Sequence, residues 1–494
     1  MFGRGWRSKR KEAAPARSSD GAEATTNEES SLLPGSNDGG ADDAEGGRDD
    51  DERATIDDVD EALLACSSDP GNYQLWLLVA TGLGFMADAM EVTLLGFLYS
   101  CLKEYWDLST YSADFILSCV FAGELVGAII SGPLADKFGR KPITVAGYAI
   151  VFIAGVTSAF APNEIFFIVC RTITGVGIGM FSVPFDLVSE CVSTKWRGWA
   201  LVVYEFWWVI GSFWTIGMGQ LMINSRFGWR GLVLACAVPM LLACVALFSV
   251  FESPRWLLSQ GRVHEAEEVV RRIAEVNGAD SSTLVLALKP KPHLFKQADP
   301  RELFTPGKKL NTTLPVTVLW LAMGLSFYGT SLLLVRASGA TDDDCDFDWP
   351  FLWGTYSTEV FGTLALIYTI DRYGRVNSNI LFYLLSGVGV VLLGLASAGG
   401  MKTLAVASGC FALAAIMAAS SATWVVTPEL YETEIRCNGH AYSNAMGRIG
   451  AFFASYLVDS SLNEGTVGAS LGAICAAGAL AAWFLEETTS KKLR

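Results

Sequence analysis

Long apolar stretches separated by short polar joins recur from residue 75 to residue 485. Each is long enough to cross a hydrocarbon core about 30 Å thick. Six fall near 75–98, 111–134, 143–161, 165–188, 198–222 and 229–251, and six more near 313–337, 350–370, 379–397, 402–426, 438–458 and 466–485. The pattern predicts an all-α membrane protein with twelve transmembrane helices in two six-helix bundles. Basic residues collect in the loops after even-numbered spans: Lys137, Arg140, Lys141, Lys195, Arg197, those of 255–309, Arg372, Arg375 and Arg436. Basic loops are retained in the cytoplasm, so both termini are expected there.

The two halves repeat. GPLADKFGRK at 132–141 is echoed by YTIDRYGRVN at 368–377, with 235 positions from Asp136 to Asp371. Glu190 precedes Arg197 by seven residues, and Glu429 precedes Arg436 by the same interval. Glu252 and Glu486 are read as a third matching pair, so charged markers recur at corresponding junctions of a duplicated chain. This divides the chain into bundles at 75–251 and 313–485, an inter-bundle loop with short helices at 252–312, and a cytoplasmic C-terminus at 486–494.

The formal net charge of −15 reflects an acidic N-terminus more than any partner surface. Residues 1–54 hold too few large apolar side chains for a core and are expected to be disordered. At 55–66 a Thr cap, an acidic first turn and a stripe of Ile56, Val59, Leu63 and Leu64 predict a short cytoplasmic helix leading into span one. Within the tail, EESSLL from Glu28 to Leu33 is a candidate sorting-adaptor signal. No apolar core precedes residue 75, so insertion is expected to use the first span. The 11 cysteines sit mostly inside spans and without metal-ligand spacing, so neither a metal site nor a disulfide framework is expected. Cys101 and Cys345, both on the predicted non-cytoplasmic side, are read as unpaired, with a bridge as the alternative. No nucleotide loop, metal cluster or nucleophile–base set is present, which argues against an enzyme, an ATP-driven pump or any cofactor. No nucleic-acid partner is expected, and the chain is expected to act as a monomer.

Ionisable residues inside spans carry the chemistry, because each costs about 2.5–3.5 kcal/mol to insert and needs a partner or a wet cavity. They are Asp88, Glu91, Glu124, Arg171, Glu205, Arg336, Glu359 and Arg448, with His440 near a span end. Asp88 and Arg171 are the first candidates for proton coupling, with Glu91 on the same helical face able to share the proton. Burial favours the neutral acid while a guanidinium favours the carboxylate, so loosening such a pair lets a proton bind or leave. Glu205 and Arg448, at corresponding depths of spans five and eleven, are a candidate cross-bundle pair. His440 is read as an ordinary polar contact. Tyr204, Glu205, Tyr328, Glu359, Trp424 and Arg448 are the candidate cavity lining, suited to a small amphiphilic organic solute. Asp136, Arg140, Glu190, Arg197, Asp371, Arg375, Glu429 and Arg436 stand at span ends and are read as a cytoplasmic latch between the halves. Gly123, Gly127, Gly175, Gly177 and Gly179 permit close helix approach.

GPLADKFGRK resembles the loop-two signature of the major facilitator superfamily, and the Glu-to-Arg intervals with FESPR resemble its sugar-porter and organic-ion branches. MADAMEVTLL at 86–95, YEFWWVIGSFWTIG at 204–217, GWRGLVL at 228–234 and the run from Tyr356 to Arg375 are most similar to the synaptic-vesicle-two-related proteins. The resemblance covers residues 55–490 and implies rocker-switch alternating access between parallel halves. It also implies that Asp88 and Arg171 match the proton-coupling acid and Arg of sugar/proton symporters. Span seven, LSFYGTSLLL, lacks the paired glutamines with which sugar porters hold hydroxyls, which speaks against a hexose. The expected function is secondary active transport of a small organic metabolite or ion, with protons. The alternatives are a sugar porter and, from another class, a non-transporting membrane scaffold or sensor.

Overall fold

A computed structural model describes residues 56–66, 70–279, 286–288, 299–338, 345, 347–433, 435–458 and 462–489. The tail at 1–54 and the candidate adaptor signal at Glu28 to Leu33 lie outside these residues.

Apolar runs interrupted only at polar joins give long helices and little else. A short helix, α1 (Val59–Ala65), precedes the first half. That half is built from α2 (Asn72–Tyr105), α3 (Thr110–Phe138), α4 (Arg140–Ala159), α5 (Glu164–Gly179), α6 (Ser182–Cys191), α7 (Arg197–Met222) and α8 (Gly228–Ala246). Two loop helices follow, α9 (Pro254–Ser259) and α10 (Val263–Asn277). The second half holds α11 (Lys308–Ser338), α12 (Trp349–Thr369), α13 (Arg375–Ala398), α14 (Lys402–Leu430), α15 (Arg436–Leu457) and α16 (Glu464–Trp483).

Among the described residues, 10 helical segments are long and apolar enough to cross a membrane, with α5 and α6 counted as one. The helices α12 and α15 complete the expected twelve but fall short in apolarity. The reason is on α15, whose Arg436, Asn438, His440, Asn444 and Arg448 are buried against protein rather than lipid. Span four is broken where one continuous helix was expected. Pro184 lacks an amide proton, and its ring crowds the carbonyl of Met180 four residues earlier, so the helix stops at Gly179 and restarts at Ser182.

The duplication is visible in backbone capping. Glu252 accepts from the amides of Arg140 and Lys141 at the start of α4, at 3.0 and 3.2 Å. Glu487 does the same for Arg375 and Val376 at the start of α13, at 2.9 and 3.1 Å. The partner of Glu252 in the repeat is therefore Glu487, not Glu486, which restores the 235-residue offset of the Asp pair. Asp58, rather than a Thr, caps α1 by accepting from Asp60 N at 2.8 Å, and Leu64 faces outward.

Where α3 crosses α5 the backbones touch. A Cβ on Gly127 would lie 2.0 Å from the Val176 carbonyl oxygen, and one on Gly179 2.1 Å from that of Glu124. Only glycine fits such a crossing. Gly127→Ala is expected to cost about 1–3 kcal/mol of overpacking, read as a lower melting temperature of the purified protein. Gly96→Ala, with nothing within 4 Å of its Cβ, should leave the melting temperature unchanged.

Candidate functional site

A small central cavity of about 30 Å³ lies between the halves. Helical periodicity places its walls: Trp320, Phe327 and Tyr328 share one face of α11, and Met417, Ser420 and Trp424 one face of α14. Trp208 and Glu205 come from α7, Asp88 from α2, and Asn444 and Arg448 from α15.

The expected Asp88–Arg171 pair is not the one found. Arg448 crosses between the halves to grip Asp88 with both terminal nitrogens, one of them at 3.2 Å from Oδ1. It also lies 3.1 Å from Glu124 Oε2 and donates to the Tyr328 hydroxyl at 3.4 Å. Arg171 instead holds Glu91, at 2.7 and 2.8 Å, and donates to Ser158. This second pair borders a separate cavity inside the first half, with Met90, Cys236 and Met240. The physical cause is rotation along α2. Residues three apart differ by about 60° around a helix, which is enough for Asp88 to face the second half and Glu91 the interior of its own.

Four of the expected lining residues, Glu205, Tyr328, Trp424 and Arg448, border the central cavity. Tyr204 and Glu359 do not. Tyr204 is sealed between Phe85 and Phe185, with ring centroids at 4.8 and 5.3 Å. Glu359 is buried in α12, outside the lining, with one carboxylate oxygen lacking a hydrogen-bond partner. Glu205 is not paired with Arg448. It accepts from Ser421 at 3.4 Å, and its other oxygen is buried without a partner.

Below the cavity, toward the basic loops, α15 presents one polar stripe at four-residue spacing, and every member reaches the first half. Asn444 donates to the Gly179 carbonyl at 3.2 Å, His440 Nδ1 lies 2.7 Å from Asp186 Oδ1, and Arg436 meets Glu190 at 2.8 Å. Asn438 adds a bond to Asp136 at 2.6 Å, and Arg140 donates to the Thr433 carbonyl at 3.3 Å. His440 is thus part of the closure between halves, where an ordinary polar contact was expected. Within the first half Arg140 pairs with Asp136 and Glu190, at 3.2 and 3.1 Å. The matching set in the second half, Arg375 with Asp371 and Glu429 at 2.8 and 3.2 Å, makes these pairs within its own half. Arg197 does not meet Glu190 or Glu429; it is taken by Asp60 of α1 at 2.9 Å.

The opposite end is closed as well. Phe97 packs on Phe347 and Trp349, with centroids 4.8 and 5.6 Å away, and Trp353 donates to Gln220 at 3.1 Å. Cys101 and Cys345, expected to be unpaired, form a disulfide joining α2 to the chain between α11 and α12. Both faces shut around a central cavity is the geometry of an occluded carrier.

Residues 82–494 match the model of a family described as sugar (and other) transporter. The chain belongs to that family. A synaptic vesicle 2-related protein of Bos taurus is 30% identical over 448 residues, covering 86% of this chain and 80% of the relative. Organic cation/carnitine transporter 7 of Arabidopsis thaliana is 29% identical over 437 residues, covering 79% and 86%. Among solved structures, the major facilitator proton:xylose symporter XylE bound to 6-bromo-6-deoxy-D-glucose superposes with a TM-score of 0.70 at 22% identity, covering 85% of this chain and 98% of that one. The protein is a multi-pass secondary transporter of small organic solutes with the major facilitator fold, and not an enzyme.

In this transporter sequence reasoning missed Asp186, Asn444 and Asp60, and noticed Glu124 without a role. The four-residue spacing of Arg436, His440, Asn444 and Arg448 was a legible signal for Asn444, since it marks one face of α15. Nothing local marks Asp60 as a partner of a residue 137 positions away.

Proposed function

We propose that the transporter carries a small organic ion bearing a positive charge, coupled to protons, and binds it in the central cavity. The observation that supports this most is Glu205, whose unpartnered carboxylate oxygen sits in a cavity walled by Trp208, Trp320, Phe327 and Trp424. Aromatic faces attract cations, and a carboxylate supplies the counter-charge. The local charge agrees: Asp88, Glu124 and Glu205 are three carboxylates against one guanidinium, Arg448. The relative named for organic cations and carnitine is consistent with it. Coupling would run through Arg448, which holds Asp88 and Glu124 while the cavity is shut and releases one of them to take a proton as it opens. The Glu91–Arg171 pair would brace the first half beside this site. Cytoplasmic termini fit the disulfide, which would then lie on the oxidising side.

Purified protein in proteoliposomes, offered a quaternary ammonium, a carboxylate and a hexose with and without a pH gradient, tests the reading. Accumulation of the ammonium only under the gradient is expected. Preference for the hexose or the carboxylate would refute the substrate class, and accumulation without a gradient would refute the coupling. Glu205→Gln should raise KM for the cation at least tenfold, because its counter-charge is lost.

A further inference from the structure

The two halves hold their latch arginines in the same frame but give them different carboxylates. Arg197 donates through Nε to the Ser189 carbonyl at 3.1 Å and through Nη2 to that of Val192 at 3.4 Å. Arg436 repeats this with Pro428 at 2.9 Å and Tyr431 at 3.5 Å, eight and five residues back in both cases. Arg436 then crosses the interface to Glu190. Its counterpart, Arg197, would by the same symmetry cross to Glu429. Instead the Nη2 that bonds Val192 also donates to Asp60 at 2.9 Å and so ties the guanidinium to α1, and Asp60 takes Arg255 at 2.6 Å and the Thr194 hydroxyl at 2.8 Å as well. Glu429 is left to Arg375 and Thr488 of its own half.

We propose that Asp60 is a positioning residue of the transport cycle: by holding Arg197, the helix preceding the first span removes one of two symmetric cross-bundle pairs and keeps the cytoplasmic gate easy to open. The gate closed on both latches would be held by Arg436–Glu190 and Arg197–Glu429 together. With α1 docked it is held by the first alone. Glu190 already accepts two arginines, Arg140 and Arg436, so a carboxylate in this frame has room for the second one that Glu429 lacks. The docking is anchored independently of Arg197. The Ile56 carbonyl accepts from Ala287 N at 3.0 Å, and Cys66 contacts the Val270 carbonyl of α10 at 3.5 Å. The inference rests on alternating access and not on the identity of the solute.

Burial works against ionised Asp60, but Arg255 and Arg197 outweigh it and hold its pKa down at about 2, from an ordinary 3.8. A depressed carboxylate pKa stabilises the docked form above the ordinary value and loses that stabilisation only as the pH falls toward 2. Docking should therefore not change between pH 5 and 8.

Hydrogen–deuterium exchange of the full-length protein in lipid nanodiscs, read at residues 182–198 and 429–444, tests the proposal. Asp60→Asn should slow exchange there severalfold, because Arg197 is free to take Glu429, and Asp60→Asn with Glu429→Gln should return it to the wild-type rate. Unchanged or faster exchange in Asp60→Asn, or slowing that persists in the double variant, would overturn it by making Asp60 a fold-stabilising anchor only. Should Asp60→Asn fold poorly, Thr194→Val, which removes only the hydroxyl that orients Asp60, must slow the same segments by a smaller factor. No slowing there overturns the proposal equally.

Discussion

Arg448→Gln abolishes gradient-driven accumulation, with uptake falling at least about 100-fold. One guanidinium compensates Asp88 and Glu124 inside the membrane and also bridges the two halves. Removing one partner of a buried ion pair costs about 3–5 kcal/mol, which as a barrier or an equilibrium is about two to four orders of magnitude. Glutamine keeps the length and some hydrogen bonding but supplies no charge to exchange for a proton. The measurement is proteoliposome uptake of the transported solute with and without a pH gradient, beside a melting curve that separates lost transport from lost folding. The double variant Asp88→Asn with Arg448→Gln should recover much of the stability while remaining unable to accumulate solute, since its site has one fewer proton to trade. Accumulation in Arg448→Gln at the wild-type rate would remove this residue from the coupling site.

The second large effect is at the gate. Glu190 is buried and receives Arg140 from its own half and Arg436 from the other. Glu190→Gln leaves two buried guanidiniums without their shared anion, so the closed gate loses several kcal/mol while the open one, hydrated, loses little. The transporter should rest open toward the basic loops. Cys437, buried and free beside this network, reports the change: its alkylation by a small maleimide should speed up at least tenfold in Glu190→Gln, and solute accumulation should collapse. An unchanged alkylation rate would show that the other rungs, His440 with Asp186 and Asn438 with Asp136, hold the gate without Glu190.

Much of this was legible because a membrane solvent simplifies the code. Apolar length fixes the spans, the positions of Lys and Arg fix an expected orientation, and a charge inside a span is costly enough that its mere presence marks function. The residues Asp88, Glu205 and Arg448 were reachable on that ground alone, and Tyr328 and Trp424 as mid-span aromatics beside polar or small neighbours. The pairing among them was not. Asp88 faces Arg448 rather than Arg171 because a 60° difference around α2 decides which half each acid sees, and sequence spacing at three residues reads both as one face. Tyr204 was misplaced for a similar reason: a mid-span aromatic looks the same whether it borders a cavity or fills a seam between Phe85 and Phe185.

The sequence by itself determined the class of molecule, the duplication, the helices and the family, because hydropathy and repeated charged markers are local properties that survive without knowledge of contacts. Only the tertiary structure decided who pairs with whom: Arg448 with Asp88, Arg171 with Glu91, Arg436 with Glu190, Arg197 with Asp60, Cys101 with Cys345. Ion pairs and disulfides form between surfaces brought together by packing, so their partners depend on helix rotation and on the meeting of two halves far apart in the chain.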